Sequence, residues 1–342
     1  MNDAAFRRRY ETIRVRIEQR LKRTRPARGA ARLREGCRYA LQGGGKRVRP
    51  ALLVLACEAV GGRAAASLDA AAAIEIMHNF TLVHDDIMDN ADARRGRPTV
   101  HRAWSANDAL LVGDVLVGAS YESLLRTKGP AQSALAGVLT RGLLDVCEGQ
   151  ALDLEFEKRS DVTVREYFRM IGKKTGALLA TAAELGALLG GGTPARVAAL
   201  RRFGLRLGIA FQVQDDLLDV VGDPAGFGKT IGGDILEGKR TYLLLTAAAR
   251  AAGSDRDLIA RVMAREGSPG LFKSTGGAVT PAGRSFVEDV RRAYGECGAI
   301  DDARGVVRRT TRGALRELDR LPRSTAREML RWLADELVHR AT

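Results

Sequence analysis

SLDAAAAIEIMHNFTLVHDDIMDN (residues 67–90) is apolar almost all round, then turns acidic in its last turn. Ala, Ile, Leu and Met at this density predict a long helix buried on most of its surface. Asp85 and Asp89 stand four apart on one face of it, with Asp86 about a quarter-turn round. The pattern recurs in FQVQDDLLDVVGD (residues 211–223) as Asp215, Asp219 and Asp216. Like charges at this spacing cost a helix ~0.2–0.5 kcal/mol per pair. Both clusters also fall at helix carboxyl ends, where the macrodipole disfavours anions. Two solvated acidic turns are the plain alternative. Each cluster, however, directly follows apolar residues, and a buried carboxylate needs a cation. Hard oxygen ligands beside a phosphate-binding cavity suit Mg²⁺, which keeps waters and substrate oxygens in its shell.

The rest of the chain is equally helical in pattern. Ala, Leu, Arg and Glu dominate, and no alternating run of Val, Ile, Thr and aromatics reads as a strand. Helices are expected over 3–23, 29–41, after Pro50, 67–90, 105–127, 131–157, 163–189, 194–221, 239–252, 285–297, 300–319 and 322–340. Residues 91–101 and 222–238 read as loops, and 266–284 as a surface insertion rich in Gly, Ser and Pro. No linker-like break in composition appears, so residues 1–342 are expected to form one domain.

The chain carries a formal charge of +14 with only 5% aromatic residues. A positive field favours anionic partners. Nucleic-acid binding would add a stacking surface or a known motif, and neither is present. Most of the arginines read as solvated helix faces. Four scattered cysteines form no metal spacing and require no disulfide. The first residues lack an apolar signal core and no stretch is long enough to span a bilayer. A cytoplasmic setting without a membrane span is the expectation.

Cations gather in glycine-containing turns. GGGKRVRP (43–50) puts flexible backbone beside Lys46, Arg47 and Arg49, without the Ser or Thr of a P-loop. Arg94 and Arg95 follow the first acidic turn. Lys173 and Lys174 precede Thr175 and Gly176. Lys229 and Lys239 bracket Gly232-Gly233-Asp234. Simple ion pairs would explain them, but such turns also let backbone approach a diphosphate closely. His78, seven residues before Asp85, shares its helix face. From spacing alone it is as readily a hydrogen-bonded core histidine as a ligand.

These stretches, with CEGQALDLEFE (147–157), KKTGALL (173–179) and GKTIGGDILEGKRTYLLL (228–245), resemble the trans-isoprenyl diphosphate synthases, the polyprenyl synthetase family. The likeness runs from about residue 35 to about residue 250. It implies an all-α bundle of long antiparallel helices around a central cavity, a homodimer, and Mg²⁺, three ions with substrate bound. It implies head-to-tail prenyl transfer between isopentenyl diphosphate and an allylic diphosphate. On this chain Asp85 and Asp89 would bind metal with Asp86 assisting, and Asp215 would do so with Asp216 and Asp219 in support. Arg94, Lys174, Lys229 and Lys239 would hold the allylic diphosphate. Lys46, Arg49, His78 and Arg95 would hold isopentenyl diphosphate. Thr175 and Gln212 would turn their dipoles toward the allylic cation.

The resemblance also points to chain-length control. A bulky aromatic five positions before the first aspartate shortens the product in the family. Phe80 stands there, followed by Thr81. Helix geometry sets Met77 and Thr81 nearer the Asp85 face, and ordinary core packing is the alternative for these side chains. The expected product is C20, with C15 next. A helical terpene cyclase would replace DDLLD by a different metal triad and would not need Lys46, Arg49 and Arg95. A head-to-head synthase would lack GGGKRVRP. A silent partner subunit would have lost aspartates, and here all six remain.

Overall fold

The computed structural model describes residues 2–24, 30–128, 132–222, 232–264 and 279–338. Their contacts group into two compact units. One comprises residues 1–146, 177–205 and 315–333, the other 147–176, 206–314 and 334–342.

In the first unit the chain runs through α1 (Asp3–Arg23), α2 (Ala31–Leu41), α3 (Val48–Ala59) and α4 (Ala64–Met88). A two-stranded ribbon follows, β1 (Ala93–Arg94) and β2 (Arg97–Pro98), then α5 (Val100–Ala103), α6 (Ala106–Leu125) and the start of α7 (Gln132–Phe156). Helix α9 (Ala177–Leu189) returns to pack on α3 and α4. The core is small-residue packing at close range. Ala70 to Ala73 are fully buried in α4, and Leu52, Leu53 and Leu55 in α3. A Cβ built on Gly186 of α9 would stand 2.1 Å from the Leu53 carbonyl oxygen, and one on Gly190 would stand 2.4 Å from that of Cys57. The α3 and α9 backbones therefore touch. Ser120 and Ser123 of α6 donate to the α4 carbonyls of Ala73 and Asp69 at 2.8 and 2.9 Å.

The second unit holds the end of α7, α8 (Val164–Ile171) and a π-helical segment, Gly172–Gly176. It continues with the end of α10 (Pro194–Val221), α11 (Gly233–Leu236), α12 (Tyr242–Arg250), α13 (Gly253–Met263), α14 (Pro281–Glu296) and most of α15 (Ala299–Leu318). The last helix, α16 (Thr325–Val338), contributes to both units. Buried Arg240 ties the loops together by donating to the carbonyls of Arg159, Gly238 and Met263 at 2.7–2.8 Å. Tyr167, Phe168 and Tyr242 join α8 to α12 through ring contacts of 5.5–6.2 Å.

The helical expectation holds, with particular departures. The loop 91–101 contains the β1–β2 ribbon and α5. Helix α3 begins at Val48, ahead of Pro50, because proline is tolerated in the first turn where its missing N–H is an orphan anyway. The stretch 163–189 is interrupted by the π segment. Helix α13 was read as no helix, since only Ile259 and Val262 of its polar sequence are buried. Of the expected insertion 266–284, residues 266–278 lie outside the described residues, and its last four begin α14, with Pro281 in the first turn.

At Gly149 of α7 a Cβ would stand 2.2 Å from the Lys174 backbone nitrogen. Gly149→Ala should therefore lower unfolding stability by about 1–3 kcal/mol in urea titrations, the usual cost of overpacking.

Candidate active site

In the first unit, residues 43–46 lead into α3 with Gly44 at φ 71° and Gly45 at φ 118°. The Arg95 guanidinium lies against this loop. It donates to the Gly44 carbonyl, and a Cβ on Gly45 would stand 2.9 Å from its Nη1. Glycine at 45 is thus required twice, by its dihedral angle and by its neighbour. Arg95 (φ 53°) and Gly96 (φ 73°) are the two central residues of the β1–β2 turn, positive as a type I′ hairpin demands. The hairpin holds Arg94 and Arg95 beside the end of α4.

Arg94 donates to the buried Asp86 carboxylate at 2.6 Å. Burial still pushes Asp86 upward, with Arg94 opposing. Asp85 is half-buried in the last turn of α4, and Asp89, exposed, caps that helix. Arg49 contacts His78 Nε2 at 3.0 Å. Burial holds His78 well below the usual histidine range, helped by Arg49, Arg95 and Arg94. The ring is therefore neutral at pH 7 and accepts a hydrogen bond from Arg49. Burial also draws Arg49 down to about 10, and its Nε is buried without a hydrogen-bond partner. A cavity with about 420 Å³ of empty space, open to solvent, is lined by Tyr39, Asn79, Val83, Asp86, Arg94 and Arg95 among others. Three of its lining residues, Arg94, Arg95 and Arg97, are arginines, a wall suited to an anion.

The second unit carries the other acidic turn. Tyr167 donates to buried Asp216 at 2.6 Å, and Gln212 donates to its other oxygen at 2.9 Å. Thr175 donates to the Gln212 side-chain oxygen at 2.8 Å, completing a relay from the π segment to the aspartate turn. Burial raises Asp216, and so do Asp234 and Asp215, while the two donated bonds work the other way. Burial raises Asp234 as well, against Lys239 at 3.4 Å. Asp219 uses one side-chain oxygen to accept the Asp234 N–H at 3.0 Å, and its carbonyl accepts from Gly232 at 2.7 Å. Lys174 pairs with Asp153 at 2.5 Å.

Burial makes Asp216 and Asp234 costly to ionise, a cost that a hard divalent cation would relieve. Among the described residues no group of three or more His, Cys, Asp or Glu side chains is arranged to hold a metal ion alone.

All of this sits in the all-α fold of the isoprenoid synthases. The polyprenyl synthetase family profile matches residues 30–273, a span that draws on both units. A short chain isoprenyl diphosphate synthase of Methanothermobacter thermautotrophicus is 40% identical over 304 residues, 88% of each chain. A geranylgeranyl diphosphate synthase of Methanosarcina mazei is 37% identical over 95% of this chain and 93% of that one. The crystal structure of a geranylgeranyl pyrophosphate synthetase from Pyrococcus horikoshii superposes with a TM-score of 0.90 at 35% identity, covering 99% of both chains. The chain belongs to the polyprenyl synthetase family and is a prenyltransferase.

Of the expected site residues, the first unit brings together Arg49 with His78, Arg94 with Asp86, and Arg95 with the glycine loop. The second joins Thr175, Gln212 and Asp216, and sets Lys239 beside Asp234. Lys229 lies outside the described residues. Lys46 is exposed, with its carbonyl accepting from the Tyr10 hydroxyl. Phe80 is buried edge-on to His84 at 4.8 Å, Met77 is fully buried, and Thr81 donates to the His78 carbonyl at 2.8 Å. Tyr167, Asp153 and Asp234 escaped the sequence reading. Only Asp234, behind two glycines, had a local signal. The other two are recognisable only by what they touch.

His78 sets a pH dependence. Below its unfolded value of about 6.5 the unfolded chain takes up a proton that folded His78 refuses. Stability should fall as pH drops from about 6.5 toward the lower folded value. Urea titrations at pH 7.5 and 5.5 should show a smaller loss in His78→Gln than in wild type.

Proposed function

We propose that the enzyme condenses isopentenyl diphosphate with an allylic diphosphate, head to tail, to give geranylgeranyl diphosphate. The observation that carries this reading is the arginine cradle of Arg49, Arg94 and Arg95, with its orphaned buried Nε, beside the first aspartate turn. Lys46, Arg49, Arg95 and neutral His78 bind the diphosphate of isopentenyl diphosphate. Arg94, Lys174, Lys229 and Lys239 bind that of the allylic substrate. Asp85 and Asp89 on one turn, and Asp215 with Asp216 and Asp219 on the other, hold Mg²⁺ (three ions with both substrates bound). When bound, the metal draws off negative charge as the allylic C–O bond breaks.

The chain's own groups do the rest. The cations pre-orient both diphosphates, so little reorganisation is needed as charge develops. Thr175 and Gln212 direct their dipoles at the allylic cation. The isopentenyl double bond attacks, forming the new C–C bond, and the released diphosphate takes the proton lost from the adduct. No side chain is needed as general base. The two units are read as one catalytic domain, because the family match runs through both. Among the described residues no helix is long and apolar enough to cross a membrane, consistent with cytoplasmic chemistry on water-soluble diphosphates.

The C20 product is supported by the geranylgeranyl synthases among the relatives and by Phe80 one turn before the aspartates. A homodimer is supported by leucines that face solvent on α6 and α7, Leu111 at 55% and Leu144 at 63% exposure, on helices joined by the Tyr121–Thr140 hydrogen bond.

Purified protein given Mg²⁺, labelled isopentenyl diphosphate and farnesyl diphosphate should yield a C20 diphosphate on product chromatography. Silence with every allylic primer would remove the reading. Asp85→Ala should cut kcat by about 10²–10³-fold with the circular dichroism unchanged. Phe80→Ala should lengthen the product, and an unchanged product would leave Phe80 a core residue only. Leu111→Asp with Leu144→Asp should shift the sedimentation coefficient from dimer to monomer.

A further inference from the structure

Of the three cations in GGGKRVRP, the middle one is withdrawn from the anion site. Arg47 is only 3% exposed and sits in the left-handed region at φ 52°, ψ 40°, rare for a side chain of its size. Its guanidinium reaches three separate elements. Nε donates to Glu18 of α1 at 2.6 Å, Nη1 to Glu75 of α4 at 2.6 Å, and Nη2 to the Leu41 carbonyl of α2 at 3.0 Å. Glu75 is itself buried. On the other side, the Tyr10 hydroxyl of α1 donates to the carbonyl of Lys46.

Glu75 and His78 are three apart on α4 and share a face. Arg47 meets the first and Arg49 meets the second, so the N-cap of α3 and a residue of its first turn are laid along α4 at two fixed points. A strained backbone angle of this kind persists only where its surroundings over-determine it. Lys46 and Arg49 flank the fixed residue.

We propose that Arg47 is a positioning residue for isopentenyl diphosphate: anchored by Glu18, Glu75 and Leu41, it aims Lys46 and Arg49 without touching substrate. This rests on the reading of Lys46 and Arg49 as the cations of that substrate. Helix α1 then belongs to the site through Glu18 and Tyr10, although neither residue reaches the ligand.

The test compares Arg47→Lys, Glu18→Gln and Tyr10→Phe with wild type, measuring KM for isopentenyl diphosphate, KM for the allylic diphosphate, kcat and Tm. Lysine keeps the charge but cannot bridge two carboxylates and a carbonyl at once. Arg47→Lys should raise KM for isopentenyl diphosphate about tenfold or more, since small misplacements of binding groups are costly. KM for the allylic substrate and kcat should stay within about twofold, and the other two variants should shift the same ratio in the same direction by a few-fold. A purely structural clamp would lower Tm and leave the ratio of the two KM values unmoved; that result overturns the proposal. If Arg47→Lys does not fold, the half-exposed Glu18→Gln and the packing-neutral Tyr10→Phe decide it. Normal wild-type turnover with an unmoved ratio defeats this inference alone. A wild type without turnover defeats the functional reading and this inference with it.

Discussion

A carboxylate at the carboxyl end of a helix is opposed by the helix's own dipole, and a buried one is opposed again by its lost hydration. Helices α4 and α10 both end on clusters of such groups, and much of the site follows from how that unfavourable charge is met. At α4 the buried Asp86 is met by Arg94 from the ribbon. At α10 the buried Asp216 is met by hydrogen bonds from Tyr167 and Gln212, which reduce its cost without cancelling its charge. The two turns therefore differ in kind. At α4 the buried carboxylate is met by a cation, and at α10 by neutral donors that leave its charge in place.

The cationic side is arranged by the reverse logic. Burial and the charges of Arg49 and Arg95 keep His78 neutral, and its Nε2 accepts a hydrogen bond from Arg49. Arg95 is held by the Gly44 carbonyl and Arg49 by the neutral His78 ring. Arg47 shows the contrast, since its charge is consumed by Glu18 and Glu75.

Composition and period were enough to read the long helices, because α3, α4 and α9 are apolar on nearly every side. The aspartate turns were legible because acidic residues directly after buried ones have few structural explanations. Weakly amphipathic α13 was not legible, with two buried residues in eleven positions. The ribbon was not legible either: a turn of Arg and Gly between two-residue strands has no alternating pattern. The partners of Arg47, Tyr167 and Asp153 were not legible for another reason. Nothing in their own neighbourhood says whether a cation faces inward or which distant group a phenol will meet. Spacing along a helix reports which residues share a face, and only the packed chain reports what that face meets.

The π segment at Gly172–Gly176 is wider than an α-turn and acts as a phase shifter. Within it Lys173 reaches out to Glu148, while Thr175, two residues on, meets Gln212. Such a turn amounts to one extra residue carried within an otherwise continuous rod. Losing one of the five would let the rod wind evenly and leave the residues beyond it in phase, so the glycines at which α9 meets α3 would keep their place. What would go is the local widening that carries Thr175 to Gln212.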